Sequence, residues 1–405
     1  MLPALWYEQP MAASPTAVWS SVSYKIETNI AKSLALYQTV TQFDDDALRQ
    51  AYDYSSFHLV RRPNIYLILV ESYGSVLYKR PDYRLDYAVL TKRIKQQLEE
   101  AGLTVASALS ESPTWGGGSW LAYTSAEFGL RLDNHPQYLA LLDEYQDQPY
   151  PYLGRYLQQE GYRSYRLSSI ADELSATEWA KYEQFYTVDR WFRFEDLAYT
   201  GALYGWGPSP PDQYALHAVR EQLAEDESTA ETPFFLFFIT QNSHYPFAPL
   251  PPLVDDWSAL NGEEHGTAEA VDDENRAHEI RRQDYFAAVE YQLDFLADFM
   301  LVRKDEDALF LLVGDHQPPR VSRRADGFAT PIHVVSRDAD LVASFYEYGF
   351  VPGLWVNPAE PTIKHEGLYS MLVRILVAND NPTAIVPPYL PDGYVAPAGS
   401  VTSEE

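Results

Sequence analysis

The sequence predicts an α/β fold: a mostly parallel central sheet with helices on both faces. Three short apolar runs carry that prediction, residues 64–71, 233–240 and 308–314. Each reads as a strand buried on both faces, and helical periodicity at 87–102, 212–224 and 279–302 separates them. Strands alternating with helices imply crossover units and a parallel or mostly parallel sheet. Further elements fit the same scheme. Residues 103–109 read as a strand ahead of a glycine-rich turn, 149–161 as a helix feeding a strand at 164–168, 330–337 as a strand, and 366–377 as a late helix.

The organisation follows from the same reading. Residues 1–62, with helix-like periodicity at 26–40 and 44–54, form a lead-in expected to pack on the main unit, residues 63–380. Within that unit, 249–274 is proline-rich and then acidic, the composition of a solvated excursion or lid. Residues 381–405 are expected to form an extended or frayed tail. A chain of 405 residues can be one large α/β domain with excursions, and 46% hydrophobic content with 31 tyrosines supplies a sizeable core.

The formal charge of −28 excludes a nucleic-acid partner, whose phosphates need a basic surface. It does not exclude an anionic substrate, because a bound divalent cation dominates its local field. The absence of cysteine removes thiol catalysis, disulfides and cysteine zinc sites. No stretch approaches the ~18 apolar residues of a membrane span, and the amino terminus lacks a signal-peptide profile. The sequence reads as a soluble unit, or as the soluble part of a larger protein with an anchor outside it.

Four places deliver chemistry to strand ends or turns. Gly314-Asp315-His316 closes the apolar run 309–313, setting two metal-ligand types at the carboxyl edge of a sheet, where open α/β folds keep their sites. Glu71 ends the first strand, where a carboxylate must be solvated, paired or metal-bound; a helix cap or ion pair is the alternative. In Trp115-Gly116-Gly117-Gly118-Ser119, the glycines, Gly118 included, let the backbone approach a ligand closely. Ser119 then opens a helix whose free N–H groups favour an anion. Its hydroxyl is a candidate nucleophile or simply a cap. His244 follows the phenylalanine-rich strand and suits metal binding, substrate contact or proton transfer.

Together these residues resemble the alkaline phosphatase/sulfatase superfamily, most closely its branch of lipoteichoic acid synthases and phosphoethanolamine transferases. The likeness spans residues 64–377. It implies one divalent cation held by Glu71, Ser119, Asp315 and His316, with manganese or magnesium favoured and zinc as an alternative. It also implies Ser119 as nucleophile and His244, in a His-x-Pro-Phe context, near substrate. Trp206, in the run from Trp206 to Asp212, matches a Trp-Gly…Asp segment of sulfatase-like proteins and is assigned to substrate binding with His244 and Gly118. Thr124 is the alternative nucleophile, although Gly129 follows Ser119 at the sulfatase spacing. His333 or His365 could complete a second metal site. His58, His135, His217, His265 and His278 read as structural or solvated.

The implied activity is hydrolysis or transfer of a phosphoester through a phosphoserine. The substrate would be a phosphorylated glycan, a lipid headgroup or a small phosphoester, and the setting extracytoplasmic. A sulfate- or phosphonate-ester hydrolase and a non-catalytic glycan- or headgroup-binding domain are the alternatives. Two departures narrow this. Ser119-Trp120-Leu121-Ala122-Tyr123 lacks the Pro and Arg required for formylglycine, which argues against ordinary sulfatase chemistry. Asp172-Glu173 stand where the synthases offer Trp and Arg to glycerol phosphate, so glycerol phosphate polymerisation is not implied.

Overall fold

The computed structural model describes residues 45–145, 149–171, 174–226, 232–262, 266–268, 275–356, 361–379, 381 and 383–395. The strands in chain order are β1 (Asn64–Val70), β2 (Thr104–Glu111), β3 (Arg163–Leu167), β4 (Arg190–Phe192), β5 (Ala202–Leu203), β6 (Phe234–Ile239), β7 (Gly266–Thr267), β8 (Ala308–Gly314), β9 (Ala329–Ser336), β10 (Val351–Pro352) and β11 (Ile363–Lys364). β5 and β7 pair in a separate ribbon. The others form one nine-stranded sheet, ordered β10-β2-β9-β8-β1-β6-β3-β4, with β11 beside β2.

The middle of the sheet, β8-β1-β6-β3-β4, is parallel, and β9 runs antiparallel to both β8 and β2. The sheet is thus mostly parallel. Register aligns the strand ends: Val70 pairs with Gly314 and Leu69 with Ile239, so β1, β8 and β6 run out side by side.

Each central strand is buried on both faces, and its alternate residues feed two separate cores. Ile65, Leu67 and Leu69 join Phe235, Phe237, Leu309 and Leu311 on one side. Tyr66, Ile68 and Val70 join Leu236, Phe238, Phe310 and Leu312 on the other. Burial of each such side chain contributes roughly 1.5–3 kcal/mol, which explains why the runs are apolar without alternation. Helices Ser119–Phe128 and Leu368–Ala378 cover the first face; Pro81–Glu100, Asp212–Glu225 and His278–Val302 cover the second.

Several elements differ from the sequence reading. The first long helix begins at Pro81 rather than 87, because proline is favoured at the first helical position, where its missing N–H is not needed. Helices His135–Glu144 and Ala176–Tyr186 and strand β4 were not expected. The second helix carries a Ser175–Glu178 capping box that marks its start in the sequence. The first half of the 249–274 excursion is largely exposed, and Trp257 ties it down by packing on Tyr214 and His217 at 5.4 and 5.7 Å between ring centres. The described part of the tail is extended but tied down, with Tyr394 N–H donating to the Gly129 carbonyl at 2.8 Å. In the lead-in, helix Asp45–Ala51 buries Leu48 in the first core, whereas residues 26–40 lie outside the described residues. Among the described residues, no helix is long and apolar enough to cross a membrane.

Candidate active site at the carboxyl edge of the sheet

Because β1 and β8 end in register, Glu71 and Asp315 emerge together. The turn between them is tight. A Cβ on Gly314 would lie 2.1 Å from the Tyr73 carbonyl oxygen, so only glycine lets the two strand ends approach this closely. Ser72 adopts φ +58°, a strained left-handed conformation. In that conformation its N–H donates to Asp315 Oδ1 at 2.7 Å and its hydroxyl to Glu71 Oε1 at 2.9 Å. The His316 N–H donates to the same Asp315 oxygen at 2.6 Å.

The other carboxylate oxygen, Asp315 Oδ2, is buried with no hydrogen-bond donor. It faces His316 Nε2 at 3.3 Å, and Glu71 Oε1 lies 3.4 Å from the same nitrogen. His316 Nδ1 is 2.9 Å from the Gln317 carbonyl oxygen. A carbonyl only accepts, so Nδ1 carries the proton and the Nε2 lone pair of the neutral ring faces the two carboxylates. That is the tautomer of a metal ligand with its outer hydrogen bond in place.

Ser119 is the first residue of its helix, after Gly118 in the left-handed region at φ +81°. Its hydroxyl donates to Glu71 Oε2 at 2.8 Å, and its oxygen is 3.3 Å from His316 Nε2. The helix dipole and the unpaired N–H groups of the first turn therefore point at the same spot as the carboxylates.

Burial pushes the Glu71 carboxyl up, but His316, His244 and the Ser119 hydrogen bond more than offset this and hold it low. Burial and the neighbouring Glu71 drive Asp315 well above the usual carboxylate range, and burial lowers His316. Two wholly enclosed carboxyls beside an imidazole that burial pushes toward its neutral form leave the cavity short of positive charge. The donor set Glu71, Asp315 and His316 offers one atom each within 4.8 Å of the others, and no other such group occurs among the described residues. These residues fit a divalent cation, and the unpartnered Asp315 Oδ2 is the atom that most needs one.

Hydroxyls at neighbouring strand ends fix this framework. Thr240 Oγ1 accepts the Glu71 N–H at 3.0 Å, Ser243 Oγ donates to the Glu71 carbonyl at 2.7 Å, and Ser112 Oγ donates to the Asp315 carbonyl at 2.6 Å. None was singled out from sequence. Their only signal is a small hydroxyl residue just past an apolar run.

His244 lies beside the cluster, close enough for its charge to act on Glu71 and His316. Its Nδ1 is 2.7 Å from the Tyr245 carbonyl oxygen and its ring stacks on the exposed Trp206 at 4.9 Å. Asp212 holds this loop, accepting the N–H of Gln241 at 2.9 Å, the N–H of Asn242 at 2.7 Å and Gln292 Nε2 at 2.6 Å. Burial raises its carboxyl to about 6. Asp212 was expected only as part of a motif, and here it is the loop's anchor.

The structure therefore brings Glu71, Ser119, Asp315 and His316 together, with Gly118, His244 and Trp206 at their margin. It does not bring in the other candidates. Thr124 is wholly buried within the helix, its hydroxyl 3.1 Å from that of Tyr186. His333 lies inside the sheet with its two nitrogens 2.9 Å from Tyr73 Oη and 2.6 Å from Ser107 Oγ. His365 is bound to Ser110 Oγ at 2.8 Å and faces the Gly314 carbonyl at 3.1 Å. The nitrogens of both histidines are engaged in hydrogen bonds, and neither residue joins the Glu71, Asp315 and His316 group. His217 is buried against Trp257 and Phe299, His58 pairs with Glu160, and His135 packs on Trp120. Asp172, Glu173 and His265 lie outside the described residues.

No curated protein sequence matches the chain. Among solved structures, similar folds include the lipoteichoic acid synthase LtaP from Listeria monocytogenes, with 15% identity, TM-score 0.48, and 72% of this chain and 71% of that one covered. The phosphoglycerol transferase GacH from Streptococcus pyogenes in complex with sn-glycerol-1-phosphate has 12% identity, TM-score 0.47, and coverage of 84% and 85%. The soluble domain of lipooligosaccharide phosphoethanolamine transferase A from Neisseria meningitidis has 13% identity, TM-score 0.48, and coverage of 80% and 91%. The family model described as Sulfatase matches residues 63–334, well over half of the chain. The chain belongs to the Sulfatase family.

Proposed function

We propose that this protein cleaves or transfers a phosphoester through a covalent phosphoserine at Ser119. The observation that carries the reading is the Ser119 hydroxyl at a helix amino terminus, 2.8 Å from Glu71 Oε2 and 3.3 Å from His316 Nε2. Glu71, Asp315, His316 and the Ser119 oxygen would hold one divalent cation. Manganese or magnesium suits two carboxylates and one imidazole, and zinc is also compatible. When bound, the cation supplies charge neutralisation and a lowered pKa for the serine hydroxyl.

Ser119 gives up its proton toward Glu71 and attacks phosphorus in line, forming the Oγ–P bond as the P–O bond to the leaving group breaks. The first-turn N–H groups stabilise charge on the phosphoryl oxygens. His244, oriented by the Tyr245 carbonyl and the face of Trp206, protonates the departing oxygen. Water or an acceptor alcohol then displaces Ser119: His244 takes the attacking group's proton, the Oγ–P bond breaks, and the Ser119 oxygen recovers the proton it gave toward Glu71. A phosphoester is favoured over a sulfate ester because the chain has neither cysteine nor the formylglycine context after Ser119.

The proposal extends to a phosphorylated glycan, lipid headgroup or small phosphoester as substrate, to an extracytoplasmic setting, and to residues 63–380 as the catalytic unit. The test compares aryl phosphate monoester, diester and sulfate hydrolysis by wild type and Ser119→Ala with Mn²⁺, Mg²⁺ or Zn²⁺. The expected result is metal-dependent phosphoester cleavage, lost by at least roughly 10³-fold in the variant. Equal activity in the variant would overturn Ser119, and preferential sulfate cleavage would overturn the phosphoester.

A further inference from the structure

The loop after His316 departs from the charge pattern of the rest of the chain. Acidic residues outnumber basic ones by 58 to 30, and most arginines away from this loop pair with a carboxylate or cap a carbonyl. Arg320 and Arg324 are exposed and form no ion pair among the described residues. The one acid in the loop, Asp326, is already engaged by Arg80 at 2.8 Å and by the Arg323 N–H at 2.6 Å.

Hydrogen bonds tie the start of the loop to its surroundings. Gln317 Nε2 donates to Ser75 Oγ at 2.9 Å and to the Ala329 carbonyl at 2.8 Å, and the Val321 N–H donates to the Pro319 carbonyl at 2.8 Å. Arg320 sits at φ +66°, a left-handed backbone that costs an arginine energy and turns the chain sharply at this point.

Both guanidinium groups meet rings that belong to the site loops. Arg324 lies over Trp115 at 4.6 Å from the ring centre, directly before the glycines that lead to Ser119. Arg320 lies 6.0 Å from the ring of Tyr245, directly after His244. Pro319 packs against Gly116, its Cα 3.8 Å from where a Cβ there would sit. Each cation thus touches a ring in one of the two loops that carry site residues, Arg324 on the nucleophile loop and Arg320 on the His244 loop. An arginine lying on a ring face is oriented by it and keeps its N–H edge for a planar, bidentate anion contact.

We propose that Arg320 and Arg324 form a second anion subsite, which binds a phosphate of the substrate other than the one attacked by Ser119. The substrate class is then an ester bearing two or more phosphates. This rests on the reading of Ser119 as the nucleophile. One phosphate meets Ser119 and the helix terminus, and the other meets the guanidinium pair.

The test pairs propane-1,3-diol bisphosphate with propyl phosphate, using metal-loaded wild type, Arg320→Gln, Arg324→Gln and the double variant, with phosphate release as the readout. Wild type should favour the bisphosphate in kcat/KM, and that preference should fall about tenfold in each single variant. Titration of the bisphosphate into metal-loaded Ser119→Ala protein, with and without the arginine changes, reads the subsite without turnover. Arginine-dependent binding there, with neither ester turned over by wild type, would keep the subsite and remove the nucleophile. An equal loss on both esters would mean general steering of anions, and the proposal fails. It fails equally if the preference is unchanged by the double variant.

Discussion

Two buried ionic clusters flank helix Ser119–Phe128, and they are built on opposite logic. At its far end, Glu127 and Arg166 are both fully enclosed, and Arg166 Nη1 reaches both oxygens of Glu127 at 2.8 Å. Tyr186 and Phe237 hold the guanidinium between them at 3.9 and 3.7 Å from their ring centres. The charges cancel and the cage is closed. At the first turn, Glu71 and Asp315 are just as buried, yet the basic group beside them is an imidazole that burial keeps neutral, and Asp315 Oδ2 has no donor. One cluster sets a guanidinium against its carboxylate, with the unpartnered atom on the cation (Arg166 Nε); the other sets two carboxyls against an imidazole, with the unpartnered atom on a carboxylate (Asp315 Oδ2). A buried carboxylate is therefore informative about function when its countercharge is missing, and about architecture when it is present.

The largest effect expected from this contrast is at Asp315. Asp315→Asn should abolish the metal-induced rise in melting temperature and lower phosphoester hydrolysis by at least roughly 10³-fold. The same change should raise the stability of the metal-free protein, because it removes one of two buried like charges. A metal-free variant less stable than wild type would erase the difference between the clusters.

The closed cluster should respond with the opposite sign. Arg166→Met alone leaves Glu127 charged and enclosed and should cost about 3–5 kcal/mol in urea unfolding. Arg166→Met with Glu127→Leu should recover most of that loss. Were the double variant as unstable as the single, the cost would lie in packing within the aromatic cage and not in charge.

Acid provides a smaller probe, read through histidines outside both clusters. Burial lowers His217 and His333 to about 3 and His365 to about 4. The unfolded chain takes up their protons near pH 6.5 while the folded protein does not, so stability falls as pH drops from about 6.5 toward 4. Asp212, raised to about 6, works the other way, since its unfavourable ionisation in the fold is relieved over the same fall. Burial raises Asp315, Glu127, Asp298 and Glu366 in the same sense as Asp212, so the histidine contribution is read from a single substitution and not from the net curve. His217→Phe should remove about 2 kcal/mol of the loss between pH 6.5 and 5, read as the difference between urea midpoints.

The smallest effect is expected at Thr124, whose hydroxyl bonds only to Tyr186. Thr124→Ala should cost about 1 kcal/mol and leave hydrolysis within twofold of wild type. A collapse of activity would put the nucleophile one turn deeper in the helix.

Much of the site was legible in the sequence because strand ends were legible. A fully buried strand must be apolar, so the first charged residue after it marks the sheet edge, and Glu71 and Asp315-His316 stand at such edges. Ser119 was readable from the glycines ahead of it. The direction of β9 was not, since an apolar run looks the same in either orientation. Nor were the fates of His333 and His365, which depend on hydroxyls of Tyr73, Ser107 and Ser110 brought alongside by other strands. Thr240, Ser243 and Ser112 escaped notice for the same reason. Asp212 carried a motif but no hint that its partners would be backbone N–H groups of the 241–242 turn.

The register of β1 against β8 has a consequence for how the protein is made. The Ser72 N–H that binds Asp315 lies 243 residues before it in the chain. A ribosome delivers residues in order, so a nascent chain that has exposed β1, the nucleophile helix and β6 still lacks both β8 ligands. Under the proposed reading, cation capture would wait until the last central strand has emerged and slotted in beside β1, and loading would report on finished assembly.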